Sequence, residues 1–249
     1  MAETTTPDLI EIQTTVREFF GWDYQSDLQS ANLLAEAFNH ACPFNLELWS
    51  VINRNRALER LRERLLSASK VVIIGASVSE EDFVDFDFEN CAIIAADGAV
   101  GAVGELAKLA CVVTDFDGNP HLDRAAKSGT TFVAHAHGDN IPQWQDCLSK
   151  WRDFQHPPEL ILTHQVSESI DGVYNFGGFT DGDRAVCLAI GLGVAKENIT
   201  LLGFSTSKIG KWSGQTNPKR KLAKLAWMLR VLQIIGLEEQ VDTSAFEVL

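Results

Sequence analysis

The feature that most constrains this chain is a series of short, continuously apolar segments that begins at Lys70. The segments are KVVIIG (70–75), CAIIAAD (91–97), CVVTD (111–115), TTFVAH (130–135), ELILTH (159–164) and NITLLGF (198–204). They are rich in β-branched residues and do not alternate apolar with polar positions, which is typical of strands covered on both faces. A helical stretch follows each one. This alternation predicts a doubly wound α/β fold with a Rossmann-like, mostly parallel sheet.

The residues before 70 predict helices instead. Apolar residues recur at helical spacing from Pro7, from Asp27 to His40 and from Leu46 to about Leu66. These stretches carry no cluster of catalytic residue types, so we interpret them as a helical layer that supports the rest. The predicted organisation is an N-terminal helical region over residues 1–69 and an α/β catalytic domain over residues 70–249.

Composition narrows the possible partners and the location. A formal net charge of −13 argues against nucleic acid as a partner, because binding to a phosphate backbone needs a basic face. No apolar run approaches the roughly 20 residues of a membrane span, and the acidic N-terminus does not resemble a signal peptide. We therefore expect a cytoplasmic protein with no membrane partner. Widely spaced cysteines without a CxxC pair predict buried, reduced thiols. The sequence leaves open whether the protein forms a homo-oligomer.

Acidic residues follow several of the predicted strands. Asp97 ends the second strand, Asp115 and Asp117 follow the third, and Asp139 follows the fourth. Ligands of parallel sheets bind beyond the carboxyl ends of the strands, and converging carboxylates repel one another unless a cation lies between them. Oxygen donors without thiolates favour Mg²⁺. A metal site is therefore predicted at this edge of the sheet.

Two histidines lie beside these acids in the segment HAHGDN. Their spacing, at His135 and His137, leaves a transition-metal site open. A hydrogen-bonding role toward a phosphate or a carboxylate is the interpretation that we favour.

A second cluster lies in the glycine-rich turn GFTDGDRAV. Thr180 or Asp181 suits the N-cap of a helix that begins near Gly182. Capping alone explains one of the two acids, Asp181 and Asp183. Two acids together with Arg184 at a helix start favour a metal–phosphate site, in which Arg184 grips phosphate.

The third feature is a basic run near the C-terminus. Between Ser205 and Arg230 there are seven basic residues and no acid: Lys208, Lys211, Lys219, Arg220, Lys221, Lys224 and Arg230. Asn217 and Pro218 predict the start of a helix whose basic first turn opposes its own dipole, and a bound polyphosphate would relieve that conflict. The alternative is a solvated basic face, mostly for Lys224 and Arg230.

Acids for magnesium and bases for phosphate together predict a nucleoside triphosphate site. The sequence contains no GxxxxGK[ST] motif. The turn from Gly75 to Ser77, after the first strand, is a candidate cradle that would bind phosphate through backbone N–H groups.

Three motifs in this order resemble the archaeal-type 6-hydroxymethyl-7,8-dihydropterin pyrophosphokinases. They are VTDFDG (113–118), HAHGDN (135–140) and GFTDGDRAV (178–186), joined by ADGA (96–99) and IGKWS (209–213). The resemblance covers roughly Lys70 to Ile235, and the segment FGWDYQSDLQSANLL (20–34) also resembles the N-terminal region of that family. ADGA followed by DFDG more distantly resembles the thiamin pyrophosphokinases. The segment GASVSEE (75–81) departs from the Gly-Pro-Ser turn that the family often has there.

The resemblance implies a thiamin-pyrophosphokinase-like core and a reaction. ATP and 6-hydroxymethyl-7,8-dihydropterin would give AMP and the pterin diphosphate, a step toward methanopterin- or folate-type cofactors. With the motifs, it implies Mg²⁺ on Asp97, Asp115, Asp117, Asp181 and Asp183, and catalytic roles for Asp117, Asp139 and Arg184. ATP would bind Gly75, Ser77, Arg184, Lys208, Lys211 and Lys219. The pterin would bind His137, Asn140, Asn175, Phe176 and Phe179.

Two other functions fit parts of the pattern. Asp115-Phe116-Asp117 also suits the metal-bound nucleotide sugar of a glycosyltransferase of the flagellin-modifying type. A nucleotide-binding regulatory module without catalysis is the non-enzymatic alternative.

Overall fold

The computed structural model describes residues 7–84, 86–214 and 217–244. Its N-terminal part forms the helices α1 (Pro7–Phe20), α2 (Tyr24–Phe38) and α3 (Val51–Ser67). The following elements are β1 (Lys70–Ile74), α4 (Glu81–Val84), β2 (Cys91–Ala96), β3 (Leu109–Thr114), α5 (His121–Lys127), β4 (Thr131–Ala136), α6 (Ile141–Trp151), β5 (Leu160–His164), α7 (Asp181–Gly191), β6 (Ile199–Leu202) and α8 (Pro218–Ile235).

The strands form one parallel sheet in the order β5-β4-β3-β2-β1-β6. Every strand predicted from the sequence is present, and the predicted α/β fold with a parallel sheet is confirmed. The chain builds the sheet outward from β1 to β5 and then returns to place β6 on the other side of β1. This reversal opens a crevice at the carboxyl ends of β1 and β6, where open α/β sheets bind ligands.

Both faces of the sheet are covered, which explains why the strands are mostly apolar and do not alternate with polar residues. In β1, Val71 and Ile73 face a core shared with α1, α3, α7 and α8. Val72 and Ile74 face the opposite core, which α2, α5 and α6 cover. Since successive strand residues point to opposite faces, a strand between two helical layers is buried on both sides, as β1 is from Val71 to Ile74.

The N-terminal helices are part of these two layers. Leu9 of α1 and Leu61 of α3 are buried in one core, and Leu34 of α2 is buried in the other. The third predicted helix begins later than expected, at Val51, because residues 43–49 form short 3₁₀ turns and Ser50 caps the helix. The predicted division of the chain at residue 70 stays a prediction. The outer ends of the two predicted regions, residues 1–6 and 245–249, lie outside the described residues.

The structure also bears on two expectations drawn from composition. The cysteines are unpaired thiols, and Cys111, Cys147 and Cys187 are buried as expected, whereas Cys42 is exposed and Cys91 is half-buried. Among the described residues, no helix combines the length and the apolar character that crossing a membrane requires.

Candidate active site

A cleft of about 610 Å³ opens at the carboxyl ends of the strands. Its size is that of a typical small-molecule site. Many of the residues predicted from the sequence line it together: Gly75, Ser77, Asp97, Asp115, Asp117, His137, Asp139, Asn140, Phe179, Asp181, Arg184 and Lys208. The cleft therefore brings the acidic strand ends, the glycine-rich turn before α7 and the segment after β6 into one site.

The floor of the cleft is a carboxylate cluster formed by Asp97, Asp115 and Asp117. One oxygen of each carboxylate lies within 4.8 Å of the others. Thr114 braces the cluster, since its hydroxyl donates to Asp97 Oδ1 at 2.5 Å and accepts from the N–H of Phe116 at 2.8 Å. A single side chain at the end of β3 thus fixes both acidic turns.

The glycines of the two acidic turns are required by space. A Cβ on Gly118 would collide with the carboxylate of Asp97. A Cβ on Gly98 would lie 2.5 Å from the carbonyl oxygen of Trp212. The turns after β2 and β3 therefore pack so closely, against each other and against the segment after β6, that no side chain fits between them.

Asp115 is held in its charged form by its neighbours. Burial alone would raise the pKa of its carboxyl, but a hydrogen bond from His137 and the charges of Arg184 and Lys224 bring this pKa below its ordinary value. The Oδ2 atom lies 3.2 Å from His137 Nε2. The Oδ1 atom is buried and has no hydrogen-bond partner among the described residues.

Asp97 and Asp181 show the opposite shift. Burial raises the pKa of Asp97 well above its ordinary value, and the charges of Asp117, Asp181 and Asp115 raise it further. Burial, followed by the charge of Asp115, does the same to the pKa of Asp181. These acids resist ionising together, which is the behaviour expected of a site built around a cation.

The carboxylate cluster fits a hard divalent cation. Its donors are carboxylate oxygens without a thiolate, and the buried Oδ1 of Asp115 lacks the partner that a buried polar atom normally has. Asp97, Asp115 and Asp117 are the residues that could hold such an ion.

The acids at the start of α7 divide into two roles. Thr180 is the N-cap, and the carboxylate of Asp183 accepts the N–H groups of Phe179 and Thr180 and the hydroxyl of Thr180. Asp183 is fully buried, and burial raises its pKa to about 6. Asp181 lines the cleft with its Oδ1 3.4 Å from Nη1 of Arg184. The structure thus corrects the predicted metal set, because Asp183 caps the helix.

The segment HAHGDN is fastened to the end of β3. The side-chain amide of Asn140 accepts the N–H of His137 at 3.0 Å and donates to the carbonyl oxygens of Asp115 and His135. It also accepts from the hydroxyl of Ser30 at 3.4 Å, so its hydrogen-bonding groups are used within the protein. Asn140, predicted to contact the pterin, is thus committed to shaping the loop that presents His137 to Asp115.

Comparisons with known proteins identify the family. No family model matches the chain. The chain is 40% identical over 182 residues to the 6-hydroxymethyl-7,8-dihydropterin pyrophosphokinase of Pyrococcus furiosus, covering 66% of this chain and 74% of that protein. It is 31% identical over 204 residues to the enzyme of the same name from Methanothermobacter thermautotrophicus, covering 79% and 76%. The chain belongs to the 6-hydroxymethyl-7,8-dihydropterin pyrophosphokinase family. The enzyme of that name from Methanocaldococcus jannaschii is 28% identical over 183 residues, covering 70% and 69%.

In this member of the pyrophosphokinase family, Arg184 and Lys208 reach the cleft as predicted, but the other cations there differ from the predicted set. Arg220, Lys221 and Lys224 of α8 line the cleft. Lys224 is half-buried, and burial lowers its pKa. A solvated basic face was the alternative for Lys224, and its position in the cleft contradicts that alternative.

Lys211 and Lys219 are not among the described residues that line the cleft. Both are exposed, and the ammonium group of Lys211 lies 4.7 Å from the ring centroid of Trp212. Because side chains three and four positions apart share one side of a helix, residues 220, 221 and 224 point together and Lys219 points away. The phase of α8 therefore corrects the predicted ATP-binding set.

The backbone of the turn after β1 is also used differently. The N–H of Gly75 donates to the carbonyl oxygen of Leu202 at 2.8 Å, and that of Ser77 donates to Gly203 at 3.0 Å. Pairing with the end of β6 therefore uses two of the donors predicted for the phosphate cradle, the N–H groups of Gly75 and Ser77. Both residues still line the cleft.

Of the predicted pterin contacts, Asn175 and Phe176 lie elsewhere. Asn175 exchanges side-chain hydrogen bonds with Gln13 of α1, and Phe176 is buried in the core against the ring of Tyr174. His137 and Phe179 do line the cleft. The turn from 175 to 179 thus faces the core at its start and the cleft at its end.

Sequence reasoning missed an aromatic wall that the N-terminal region contributes. Trp22 lines the cleft and stacks on Phe20 with ring centroids 4.6 Å apart. Arg220 lies 5.2 Å and Lys224 lies 5.5 Å from the centroid of Trp22. The only sequence signal was the resemblance of the segment around Trp22 to the N-terminal region of the family.

Proposed function

We propose that this protein transfers the diphosphate group of ATP to the hydroxymethyl group of 6-hydroxymethyl-7,8-dihydropterin, with release of AMP. Its family membership supports this reaction, since the relatives carry the name of this activity. The observation that carries the proposal is a cleft that combines the carboxylate cluster with the cations of α8 and Arg184. A magnesium nucleotide needs both partners, because its phosphates are anionic and its metal prefers oxygen donors.

Asp97, Asp115 and Asp117 would hold Mg²⁺, which would neutralise charge on the phosphates when bound. Asp115 is the anchor of this set, because its ionised form is the one that its surroundings favour. Asp181 faces the same cleft from α7, and we assign it to the outer part of the metal site. Magnesium usually keeps several waters and takes one or two carboxylates, so some of these acids act through water.

The order of the strands suggests where each substrate lies. The carboxylate cluster stands at the ends of β2 and β3, between the β1–β6 crevice on one side and β4 on the other. We place the nucleotide on the β1–β6 side, where Lys208 and Lys221 line the cleft. The pterin then approaches from the β4 side, past His137.

The chain's own residues would orient the reaction and stabilise its charge. The pterin hydroxyl oxygen attacks the β-phosphorus, and the bond from this phosphorus to the oxygen of AMP breaks. Arg184 and Lys224 stabilise the charge that develops on the leaving AMP. Asp139, whose Oδ1 lies 3.5 Å from His137 Nδ1, stands outside the carboxylate cluster on the pterin side, and we assign it to receive the hydroxyl proton.

An assay with ATP, Mg²⁺ and 6-hydroxymethyl-7,8-dihydropterin tests the proposal by following AMP and pterin diphosphate. AMP formed only when both the pterin and the metal are present is the expected result. ADP in place of AMP would replace diphosphate transfer by simple phosphoryl transfer. The glycosyltransferase alternative finds no support among the relatives, and metal-dependent binding of a nucleotide sugar without pterin turnover would be needed to revive it.

A further inference from the structure

A chain of buried polar side chains runs from the N-terminal helices into the cleft. Its members are Arg17 of α1, Asp27 of α2, Gln165 after β5 and Arg184 of α7, and each is less than a tenth exposed. Arg17 Nε lies 3.0 Å from Asp27 Oδ2, and Gln165 Nε2 donates to the same oxygen at 2.9 Å. Gln165 Oε1 accepts from Arg184 Nη2 at 2.7 Å. Two segments of the N-terminal region are thus linked to two segments near the end of the sheet by charge-assisted hydrogen bonds.

The chemistry of these partners fixes the orientation of the Gln165 amide. A carboxylate such as Asp27 only accepts hydrogen bonds, and a guanidinium such as Arg184 only donates them. The Nε2 group of Gln165 must therefore face Asp27, and Oε1 must face Arg184. An amide flip would place Oε1 against the carboxylate of Asp27, two acceptors, and Nε2 against the guanidinium of Arg184, two donors.

Asp27 itself is held on three sides. Besides Arg17 and Gln165, it accepts the N–H of Gly138 through Oδ1 at 2.8 Å. Arg17 also donates through Nη2 to the backbone carbonyl of Gln165 at 3.0 Å. The segment after β5 cannot move without breaking buried, charged contacts, so Gln165 presents its oxygen from a fixed position.

Arg184 has donors to spare for a ligand. Its Nη1 lies 3.4 Å from Asp181, its Nη2 is bound by Gln165, and its Nε has no hydrogen-bond partner among the described residues. The short contact is therefore to a neutral amide, which orients the guanidinium without cancelling its charge. A carboxylate at position 165 would hold Arg184 equally well but would compete with an anionic ligand.

We infer that Gln165 is a positioning residue for nucleotide binding, which sets the guanidinium of Arg184 toward the phosphates and is itself fixed by Asp27 and Arg17. This inference rests on the proposed function, in which Arg184 binds the nucleotide. It gives the N-terminal helices a part in nucleotide binding, because Arg17 comes from α1 and Asp27 comes from α2.

The test uses Gln165→Met, which keeps the length of the side chain and removes its hydrogen bonds to Asp27, Arg184 and His135. Titration with ATP and Mg²⁺ in the absence of the pterin should show a dissociation constant raised about 10- to 100-fold. The KM for ATP should rise in parallel, while the KM for the pterin stays near that of the wild type. Gln165→Glu should weaken ATP binding at least as much, because it adds a competing negative charge. If Gln165→Met fails to fold, Gln165→Ala serves in its place.

Gln13→Met is the matched control. Gln13 is buried to a similar degree, at 5% exposed against 7%, and its amide donates to the carbonyl oxygen of Gly178 at 3.0 Å. Among the described residues, Gln13 makes no hydrogen bond to Arg184, so its loss should lower the unfolding temperature without changing ATP binding. An equal loss of ATP affinity in both variants would overturn the inference, because it would show a general structural effect.

A double-mutant cycle with Arg184→Met separates positioning from packing. If Gln165 acts through Arg184, adding Gln165→Met to Arg184→Met should leave the dissociation constant for ATP unchanged. A further loss as large as in the wild-type background would overturn the inference. Failure of the proposed function is read separately, from the wild-type protein, which would then form no AMP.

Discussion

The floor and the basic wall of the cleft are built in different ways. The floor, the carboxylate cluster, comes from residues 97–117 at the ends of two adjacent strands. The basic wall joins Trp22, which follows α1, to Arg220 and Lys224 of α8. Helix α1 also meets α8 through Phe19, whose ring centroid lies 5.4 Å from that of Trp227. The floor depends on local turns, whereas the wall depends on two distant helices that pack together.

The two regions also differ in what they contribute to stability. In the floor, carboxylates are buried beside one another: burial raises the pKa of Asp97, and the charges of Asp117, Asp181 and Asp115 raise it further. In the wall, aromatic rings and cations attract, with contributions of about 0.5–1 kcal/mol for a cation–π pair at an exposed site. A region such as the floor, which destabilises the folded protein when no ligand is bound, is kept for function. A region such as the wall, whose contacts stabilise the folded protein, also serves the fold. Changes to the floor should therefore harm activity most and stability least.

The largest effect is expected from Asp117→Asn. Loss of one member of the carboxylate cluster should lower kcat by about 10²- to 10³-fold or more, because charge stabilisation in the transition state is lost. The substitution keeps the shape and relieves repulsion, so circular dichroism should match the wild type and the unfolding temperature should be equal or higher. Steady-state AMP formation checks the rate, with Asp153→Asn, an exposed acid, as the control. Near-normal turnover would remove Asp117 from the metal site.

Asp97→Asn should separate stability from activity as a function of pH. Because the pKa of Asp97 is raised in the folded protein, its proton is held more tightly there than in the unfolded chain. Metal-free wild type should therefore lose stability as the pH rises from about 4 through the raised pKa. The variant should lack this part of the decline and gain on the order of 1 kcal/mol at pH 7.

Urea unfolding with EDTA or Mg²⁺ over a pH series measures this difference. Asp183, whose pKa is raised to about 6, gives a similar decline between pH 4 and 6, but it is present in both proteins and cancels in the comparison. Mg²⁺ should stabilise the wild type more than the variant. A variant that is less stable than the wild type at every pH would contradict the idea that the floor is strained.

The contrast also explains how much could be predicted from sequence. The strands and their parallel pairing followed from length and continuous apolar character, and the acids of the floor followed because each lies directly after a strand. The use of the N–H groups of Gly75 and Ser77 could not be foreseen, since their partners at residues 202 and 203 are set by the pairing of β1 with β6. Local sequence shows what a residue can do, and tertiary pairing decides whether its donors are already used.

The basic wall could be predicted only in part, again because tertiary packing decides which residues face the cleft. The reversal of charge in α8 indicated phosphate binding, but the choice among its lysines depends on how the helix is rotated against the cleft. Trp22, Asp27 and Gln165 were missed because their partners lie more than a hundred residues away or on another element. Such contacts leave no mark in the spacing of a single sequence.

Lys224→Met, compared with Lys219→Met, tests the structural choice of cations. Loss of Lys224 should raise the KM for ATP about tenfold, because a half-buried cation beside phosphate contributes a charge-assisted interaction. Lys219 lies on the same helix but is exposed, so its loss should leave the KM near that of the wild type. A larger effect from Lys219 would favour the cation set predicted from sequence over the one that lines the cleft.

Trp22→Ala should have the smallest effect on activity, a rise of a few-fold in the KM for ATP. The ring contacts Arg220 and Lys224 at 5.2 and 5.5 Å, and each pair is worth about 0.5–1 kcal/mol, but both cations stay attached to α8 without it. Trp22→Phe should recover part of the loss, and Phe19→Ala, at an exposed ring that contacts Trp227, is the control for the packing of α1 on α8. If Trp22→Ala lowers the unfolding temperature but leaves the KM unchanged, the wall serves the fold alone. The Trp22 ring contacts both the aromatic ring of Phe20 and the cations of the cleft. The unfolding temperature responds to either contact, so only the KM for ATP distinguishes a role in nucleotide binding from a role in the fold.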